Sequence, residues 1–281
     1  MEKPAYRSVS SKTIIGAVLL LTFGQLTLAS ENEGPSFDQS HALWDGVLKK
    51  YVGYAGAPGT PSTLSTEVQT RVRYSELKKD QGNLNAYLQR VEKVTENEFA
   101  RFSEPQKLAF LINAYNALTV KLIVDHYPVK SIKEIGGMFS SPWKLKFFTL
   151  FGEKHHLNDI EHEMVRKNFS EPRIHFALVC ASKGCPSLRQ EAFTAGKLDA
   201  QLESSAVTFL KDPSRNRFDA QNKTLFLSSI FKWYGGDFDK KFSSVKSFIA
   251  PRIAKNGAEE ILIKSDQSKV TYLDYDWSLN E

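Results

Sequence analysis

Apolar residues recur at helical spacing in the stretch that follows Ser103. The segment Ser103-Glu104-Pro105-Gln106 combines a capping box with a proline in the first turn, which is typical of a helix start. Apolar side chains then recur at steps of three and four residues, until Pro128 prevents the helix from continuing. The pattern predicts a long core helix. Asn113 and Asn116 project from one face of it because they lie three positions apart.

The rest of the chain shows shorter helical and extended patterns. Helices are predicted around Trp44 and over 84–94, 158–169, 198–210 and 242–254, with a second capping box at 158–161. Strands are predicted where β-branched and aromatic residues cluster, over 144–150, 173–180, 224–227 and 270–277. Without a regular βαβ alternation, the order favours an α+β fold, a single globular domain of mixed helices with a small, mostly antiparallel sheet.

The first 29 residues have the pattern of a cleavable secretory signal peptide. Basic residues precede an apolar run of about ten residues, and the small residue Ala29 stands at the expected cleavage site. The run is shorter than the roughly 20 residues that span a bilayer, although a tilted, uncleaved anchor over 14–28 is the alternative. We expect a periplasmic or secreted protein with a flexible lead-in over 30–40, a domain over 41–281 and no stable membrane span after cleavage.

Composition and motifs exclude several function classes. The formal charge of +5 is spread in patches of mixed sign, without the Arg and Lys clusters interleaved with aromatics that bind nucleic acid. There is no phosphate-binding loop, dinucleotide-binding motif or serine-hydrolase motif, so we expect no cofactor. The spacing of His155, His156 and His162 matches no usual zinc frame, so we expect no metal.

Cys180 and Cys185 are the two cysteines of the chain. Export would place them in an oxidising compartment, where a disulfide is plausible. A bridge over so short a loop would contribute less than the usual value of about 2–4 kcal/mol. The spacing lacks the two-residue gap of thioredoxin-type redox motifs. The sequence leaves open whether the pair is bonded or Cys180 is a free thiol.

Residue types used in thiol catalysis occur close together in the sequence. Cys180 is the candidate nucleophile, His162 or His175 the base that activates it, and Glu161 the group that orients the base. On the predicted strand 173–180, His175 and Cys180 point to opposite faces unless the strand ends or bulges, so His162 is the freer partner.

Each candidate also has a structural interpretation. Glu161 occupies a capping-box position, and the two histidines can be packed and hydrogen-bonded in the core. Asn113 and Asn116 are candidate substrate-binding residues, and the alternative is that they satisfy buried backbone groups.

Five segments occur in a fixed order along the chain: 109–118 (AFLINAYNAL), 157–162 (LNDIEH), 173–186 (RIHFALVCASKGCP), 227–234 (LSSIFKWY) and 275–280 (YDWSLN). Together they resemble the DUF547 family, a widespread domain without an established activity, over most of the chain from 106 to 280. By fold analogy, such domains are similar to papain- or transglutaminase-like thiol enzymes.

Two functions therefore stay open for the chain. The first is a cysteine-dependent hydrolase or acyltransferase that acts on amide or ester bonds. The alternative is a non-catalytic extracytoplasmic binding or scaffold domain. The expected ligand in either case is a small molecule or a peptide-like compound.

Overall fold

The computed structural model describes residues 36–54, 69–137 and 140–281. The predicted signal peptide, its cleavage site and the lead-in as far as residue 35 lie outside the described residues. Residues 36–40 belong to the packed domain, since Phe37 is buried against the core and its ring lies edge-on to Phe110 at 5.0 Å.

Helices make up most of the described structure. The α-helices are α1 (Ala42–Tyr51), α2 (Tyr74–Lys79), α3 (Gly82–Lys93), α4 (Glu96–Arg101), α5 (Glu104–His126), α6 (Leu198–Leu210), α7 (Ser229–Phe242), α8 (Val245–Ile253) and α9 (Gly257–Lys264). A π-helix spans Asp159–Arg166, and 3-10 helices span Ile132–Glu134, Pro142–Lys144, Pro172–Phe176 and Ala195–Lys197.

The strands of the described residues form three small sheets instead of one. They are β1 (Val52–Tyr54), β2 (Thr70–Val72), β3 (Phe148–Leu150), β4 (Glu153–His155), β5 (Arg217–Asp219), β6 (Thr224–Ser228) and β7 (Lys269–Leu273). The pairs β1–β2, β3–β4 and β5–β6 are antiparallel, and β6–β7 is parallel with Leu225 opposite Val270. The predicted α+β class is confirmed, with mostly antiparallel pairing.

The long helix α5 is confirmed and forms the centre of the larger hydrophobic core. The backbone N–H of Ser103 donates to Gln106 Oε1 at 2.8 Å, which is the capping interaction that the sequence predicts. Judged by length and composition alone, α5 is the one helix among the described residues that could cross a membrane, and 89% of its apolar window is buried inside the domain. Such burial is what the core helix of a globular domain shows.

A second, smaller core consists of aromatic rings between α6, α7 and α8. Phe176 packs there against Phe209, Phe231, Phe238 and Phe248, and its ring is parallel to that of Phe248 at 5.9 Å. Because Phe176 ends the 3-10 helix Pro172–Phe176, this packing holds the neighbouring His175 beside α7.

The predicted strand over 173–180 is wrong. Pro172 instead begins a 3-10 helix, where the Glu171 side chain accepts a hydrogen bond from the Arg173 N–H at 3.1 Å. The residues that follow cannot join a sheet there, because Asn116 binds both the Ala177 carbonyl and the Val179 N–H. The objection that His175 and Cys180 face opposite ways therefore no longer applies.

The predicted capping box at 158–161 is also wrong. Asn158 makes no capping hydrogen bond, and the segment that it precedes is a π-helix. The carboxylate that binds backbone at the start of this helix is Asp159, which accepts a hydrogen bond from the His156 N–H at 3.0 Å. Glu161 is thereby available for contacts outside its own helix.

Candidate functional site

One cleft brings together the four residues proposed for thiol chemistry. Glu161, His162, His175 and Cys180 all line it, and its cavity volume is about 230 Å³. The other lining residues are Tyr115, Trp143, Asn158, Leu178, Cys185, Pro186, Ile230, Trp233, Tyr234, Tyr275 and Trp277. The cleft lies where α5, the π-helix, α7 and the C-terminal segment meet.

The Glu161 carboxylate is held by two tyrosine hydroxyls. Tyr115 on α5 donates to Oε2 at 3.1 Å, and Tyr234 on α7 donates to Oε1 at 2.7 Å. Burial raises the pKa of both tyrosines, so their hydroxyls remain donors throughout the neutral range. A carboxylate has about four acceptor positions, so Glu161 retains capacity for a ligand donor.

Arg166 connects His162 to the acidic residue Asp237. The Arg166 guanidinium donates to His162 Nδ1 at 3.1 Å, and its Nε and Nη2 donate to the two Asp237 oxygens at 2.8 and 3.1 Å. His162 and Arg166 lie four positions apart on the π-helix, and wide π-turns often occur at functional sites. The contact assigns the lone pair of His162 to Nδ1 and its proton to Nε2.

His175 is buried and held by two residues of α7. Its Nε2 lies 2.9 Å from Asp237 Oδ2, and its ring stacks on Tyr234 with centroids 4.0 Å apart. Burial lowers the pKa of His175, and the bond to Asp237 opposes that shift without reversing it. The hydrogen bond from His175 and the Arg166 guanidinium hold the pKa of Asp237 well below its usual range. A neutral His175 thus donates from Nε2 to an ionised Asp237.

The remaining side of the cleft contains a disulfide between Cys180 and Cys185. The Cys180 N–H donates to Cys185 Sγ at 2.9 Å, while Tyr275 Oη and Ser182 Oγ each lie 3.2 Å from Cys180 Sγ. The sequence left a disulfide and a free thiol open, and the structure has the disulfide. Neither imidazole of the cleft is hydrogen-bonded to Cys180 Sγ among the described contacts, so the predicted nucleophile and base are neighbours without a direct bond.

The C-terminal segment completes this side of the cleft through backbone pairing. Gly184 N–H donates to the Asp276 carbonyl at 2.8 Å, and Lys183 N–H donates to the Ser278 carbonyl at 2.8 Å. A Cβ at Gly184 would lie 3.0 Å from the backbone of Asp276 and from the Tyr275 ring. Only glycine permits this approach, which places Tyr275 on the disulfide.

Three tryptophans from separate parts of the fold form an aromatic wall along the cleft: Trp143, Trp233 and Trp277. Trp277 lies 5.7 Å from Trp143 and 5.9 Å from Trp233 between ring centroids. Trp233 is 46% exposed, and the remaining tryptophan of the chain, Trp44, is buried in the core. An exposed tryptophan beside others in a concave site is typical of a ligand-contacting surface.

The structure places Asn113 and Asn116, the predicted substrate-binding residues, in the buried core and outside the lining of the cleft. Asn113 exchanges two hydrogen bonds with the backbone of Phe193, at 2.7 and 3.0 Å. Asn116 donates to the Ala177 carbonyl and accepts from the Val179 N–H, both at 2.9 Å. Both side chains are buried, and their polar groups are hydrogen-bonded to loop backbone.

The sequence interpretation missed several residues of the site. Five of them lie inside the five segments that resemble the DUF547 family, and that position was a usable signal: Tyr115, Trp233, Tyr234, Tyr275 and Trp277. Arg166 and Asp237 lie outside the segments. Asp237 lies three positions after Tyr234 on α7. Only a helix prediction for that segment would have placed these two residues on one face.

Comparison with known proteins gives a family match without an activity. Residues 99–210 match the family model described as "Protein of unknown function, DUF547". No curated protein and no solved structure matches the chain significantly. The match includes Glu161, His162, His175 and the disulfide, and it ends before α7 and the C-terminal segment. In the ranges that the structure describes, no group of three or more His, Cys, Asp or Glu side chains could hold a metal ion.

Proposed function

We propose, for a chain that carries a DUF547 domain, that the cleft around Glu161 binds a small-molecule or peptide-like ligand in an extracytoplasmic compartment. The observation that carries the proposal is the convergence of three of the four tryptophans of the chain on one cleft with a tyrosine-held carboxylate. Aromatic faces bind rings and other weakly polar groups, and Glu161 accepts hydrogen bonds from hydroxyl or amine groups.

The charged groups of the cleft balance one another, which favours a ligand without a strong net charge. Asp237 and Arg166 neutralise one another, and His175 is held neutral by burial. Lys133 Nζ lies 3.8 Å from the Trp277 ring centroid and adds one cation beside the aromatic wall. Together with the Glu161 carboxylate, these groups give the cleft no net excess of either sign.

Tryptophan fluorescence tests the binding proposal directly, because Trp44 is buried and the other three tryptophans line the cleft. The probes are benzyl alcohol, benzyltrimethylammonium and methyl glucoside, titrated into the purified chain. We expect at least one ring probe to change the emission saturably, and Trp233→Ala to weaken its binding about tenfold, as loss of a ring contact does.

Ile261→Ala is the matched control, because Ile261 is 72% exposed and does not line the cleft. It should bind the probe as the wild type does. Absence of saturable binding by every probe, or equal binding by Trp233→Ala, would contradict a ligand site at the aromatic wall.

A cysteine-dependent hydrolase or acyltransferase is the second candidate. It is favoured by one observation, that Cys180 shares the cleft with Glu161, His162 and His175. Its nucleophile requires reduction of the disulfide, since the bonded sulfur is not a thiolate. Hydrolysis of p-nitrophenyl acetate should then appear only after reduction and be lost in Cys180→Ser. Equal hydrolysis by reduced wild type and by Cys180→Ser would eliminate this candidate.

Export is part of the same proposal. The signal-peptide pattern of residues 1–29 and a disulfide, which persists mainly in oxidising compartments, support it. Cell fractionation should recover the chain outside the cytoplasm, and its N-terminal sequence should begin at Ser30. A cytoplasmic chain that retains residues 1–29 would refute export.

A further inference from the structure

The two cysteine residues of the disulfide differ in exposure. Cys180 is partly exposed, whereas Cys185 is buried with 4% of its surface accessible. Exchange with an external thiol depends on which sulfur the thiol can reach. Both cysteines line the cleft, and the more exposed Cys180 offers an incoming thiol the easier approach, so that Cys185 Sγ is the sulfur that would leave.

Hydrogen-bond donors surround both sulfurs. The Cys180 N–H points at Cys185 Sγ, and the hydroxyl of Tyr275 points at Cys180 Sγ. Ser182 Oγ can donate to Cys180 Sγ at 3.2 Å or to Tyr275 Oη at 3.3 Å. A bonded disulfide sulfur is a weak acceptor and gains little from such donors. A thiolate is an anion and gains much more, because hydrogen bonds to charged groups are about twice as strong.

We propose that the cleft performs thiol–disulfide exchange with small thiols, which attack Cys180 and displace Cys185. The thiolate of the incoming compound forms a bond to Cys180 Sγ, and the electron pair of the broken S–S bond goes to Cys185 Sγ. The proton lost by the incoming thiol to water is balanced by the proton that Cys185 takes up. The product is a mixed disulfide on Cys180 and a thiol at Cys185.

A second small thiol completes the reaction by attacking the sulfur of the bound compound. Cys180 is then the leaving thiolate, and the free product is a small-molecule disulfide. Tyr275 and Ser182 stabilise this leaving thiolate, while the Cys180 N–H stabilises the Cys185 thiolate in the first step. Burial raises the pKa of Tyr275, so its hydroxyl remains a donor at neutral pH. The exchange is independent of the ligand proposed for the aromatic wall.

The experiment traps the intermediate on the full oxidised chain. The protein is incubated with excess 2-mercaptoethanol, quenched with acid at successive times and mapped by peptide mass. We expect the adduct on Cys180 and not on Cys185, followed by the dithiol. In Tyr275→Phe the mixed disulfide should persist about tenfold longer, because the leaving Cys180 thiolate loses a donor worth one strong hydrogen bond.

Tyr272→Phe is the matched control, since Tyr272 lies 42% exposed on β7, and its time course should equal the wild type. If Tyr275→Phe does not fold, Ser182→Ala provides the same comparison. An adduct on Cys185, a disulfide that resists the thiol until the chain unfolds, or equal lifetimes in wild type and the donor variants would each overturn the proposal.

Discussion

The two flanks of the cleft are built from different interactions. The ionic flank consists of His162, Arg166, His175 and Asp237, where the Arg166–Asp237 ion pair is hydrogen-bonded to the two imidazoles, with distances of 2.8 to 3.1 Å. The disulfide flank consists of Cys180, Ser182, Cys185 and Tyr275, where neutral donors lie 2.9 to 3.2 Å from the sulfurs. In the ionic flank, strong and specific pairs fix the side chains. In the disulfide flank, the donors face neutral sulfurs and would bind a thiolate only after the disulfide opens.

Because of this difference, we expect the two flanks to contribute differently to the stability of the fold and to the reactivity of the disulfide. Breaking a partly buried ion pair leaves an uncompensated charge and destabilises the fold. Breaking a bond between sulfurs over a short loop changes the unfolded chain little. We therefore expect variants of the ionic flank to affect unfolding most, and variants of the disulfide flank to affect exchange most.

Asp237→Ala should have the largest effect on stability. It leaves Arg166 and the buried His175 without their carboxylate, and we expect the free energy of unfolding to fall by about 2–3 kcal/mol, below the full value for a buried pair because Asp237 is partly exposed. Urea unfolding measures the change. The exposed Asp266→Asn is the control and should change little, and a similar loss in both variants would contradict an ionic flank that stabilises the fold.

Asn116→Ala should cost nearly as much and should also alter the disulfide flank. The variant leaves the buried Ala177 carbonyl and Val179 N–H without partners, and we expect a loss of about 2 kcal/mol in urea unfolding. Asn113→Ala is a matched comparison because it removes two bonds of the same kind to Phe193. Only Asn116→Ala should accelerate exchange at Cys180, and equal acceleration by both would show that loss of stability alone opens the disulfide.

The double variant Cys180→Ser/Cys185→Ser should destabilise the fold less. Closing a loop between residues five positions apart removes little entropy from the unfolded chain, so the loss should be about 2 kcal/mol or less. Thermal unfolding under identical conditions, beside the oxidised wild type, gives the value. A loss larger than that of Asp237→Ala would reverse the proposed division between the flanks.

The smallest effect is the pH dependence that His175 contributes. Its pKa in the fold lies below that of the unfolded chain, so the unfolded state binds the proton first as pH falls below about 6.5. Stability should therefore fall toward acid by up to about 1.4 kcal/mol per pH unit from this group. Asp237 and Glu161 favour the protonated ring and reduce the lowering of its pKa, whereas Arg166 adds to it. The net lowering sets the pH range over which stability falls.

His175→Gln keeps a donor for Asp237 and removes the titration, so its stability curve between pH 6.5 and 5 should be flatter than that of the wild type. The buried His41, whose pKa falls to about 4, contributes to both proteins and cancels in the comparison. Parallel curves for the two proteins would mean that His175 is not held neutral by the fold.

Local pattern was sufficient for some helices, but it did not predict α7, which carries Tyr234 and Asp237. The capping box at Ser103 and the apolar spacing after it predict α5, and α6 begins and ends at the predicted residues 198 and 210. The 173–180 segment was predicted wrongly, since its apolar, β-branched sequence suits a strand. Packing of Phe176 in the second core and the two bonds from Asn116 impose a different backbone on it.

The sequence by itself determined the α+β class, the long core helix, the four residues that meet in the cleft and the family that residues 99–210 match. Each of these depends on local spacing, on residue types or on the order of segments along the chain. Only the tertiary structure decided that the two asparagines serve the loop backbone, that Asp237 and Arg166 join the histidines, and that Cys180 is bonded to Cys185 beside Tyr275. Most of those contacts connect residues far apart in the sequence, up to 95 positions, so they form only when the core has packed. The disulfide joins residues five positions apart, but the sequence left a bonded pair and a free thiol equally open.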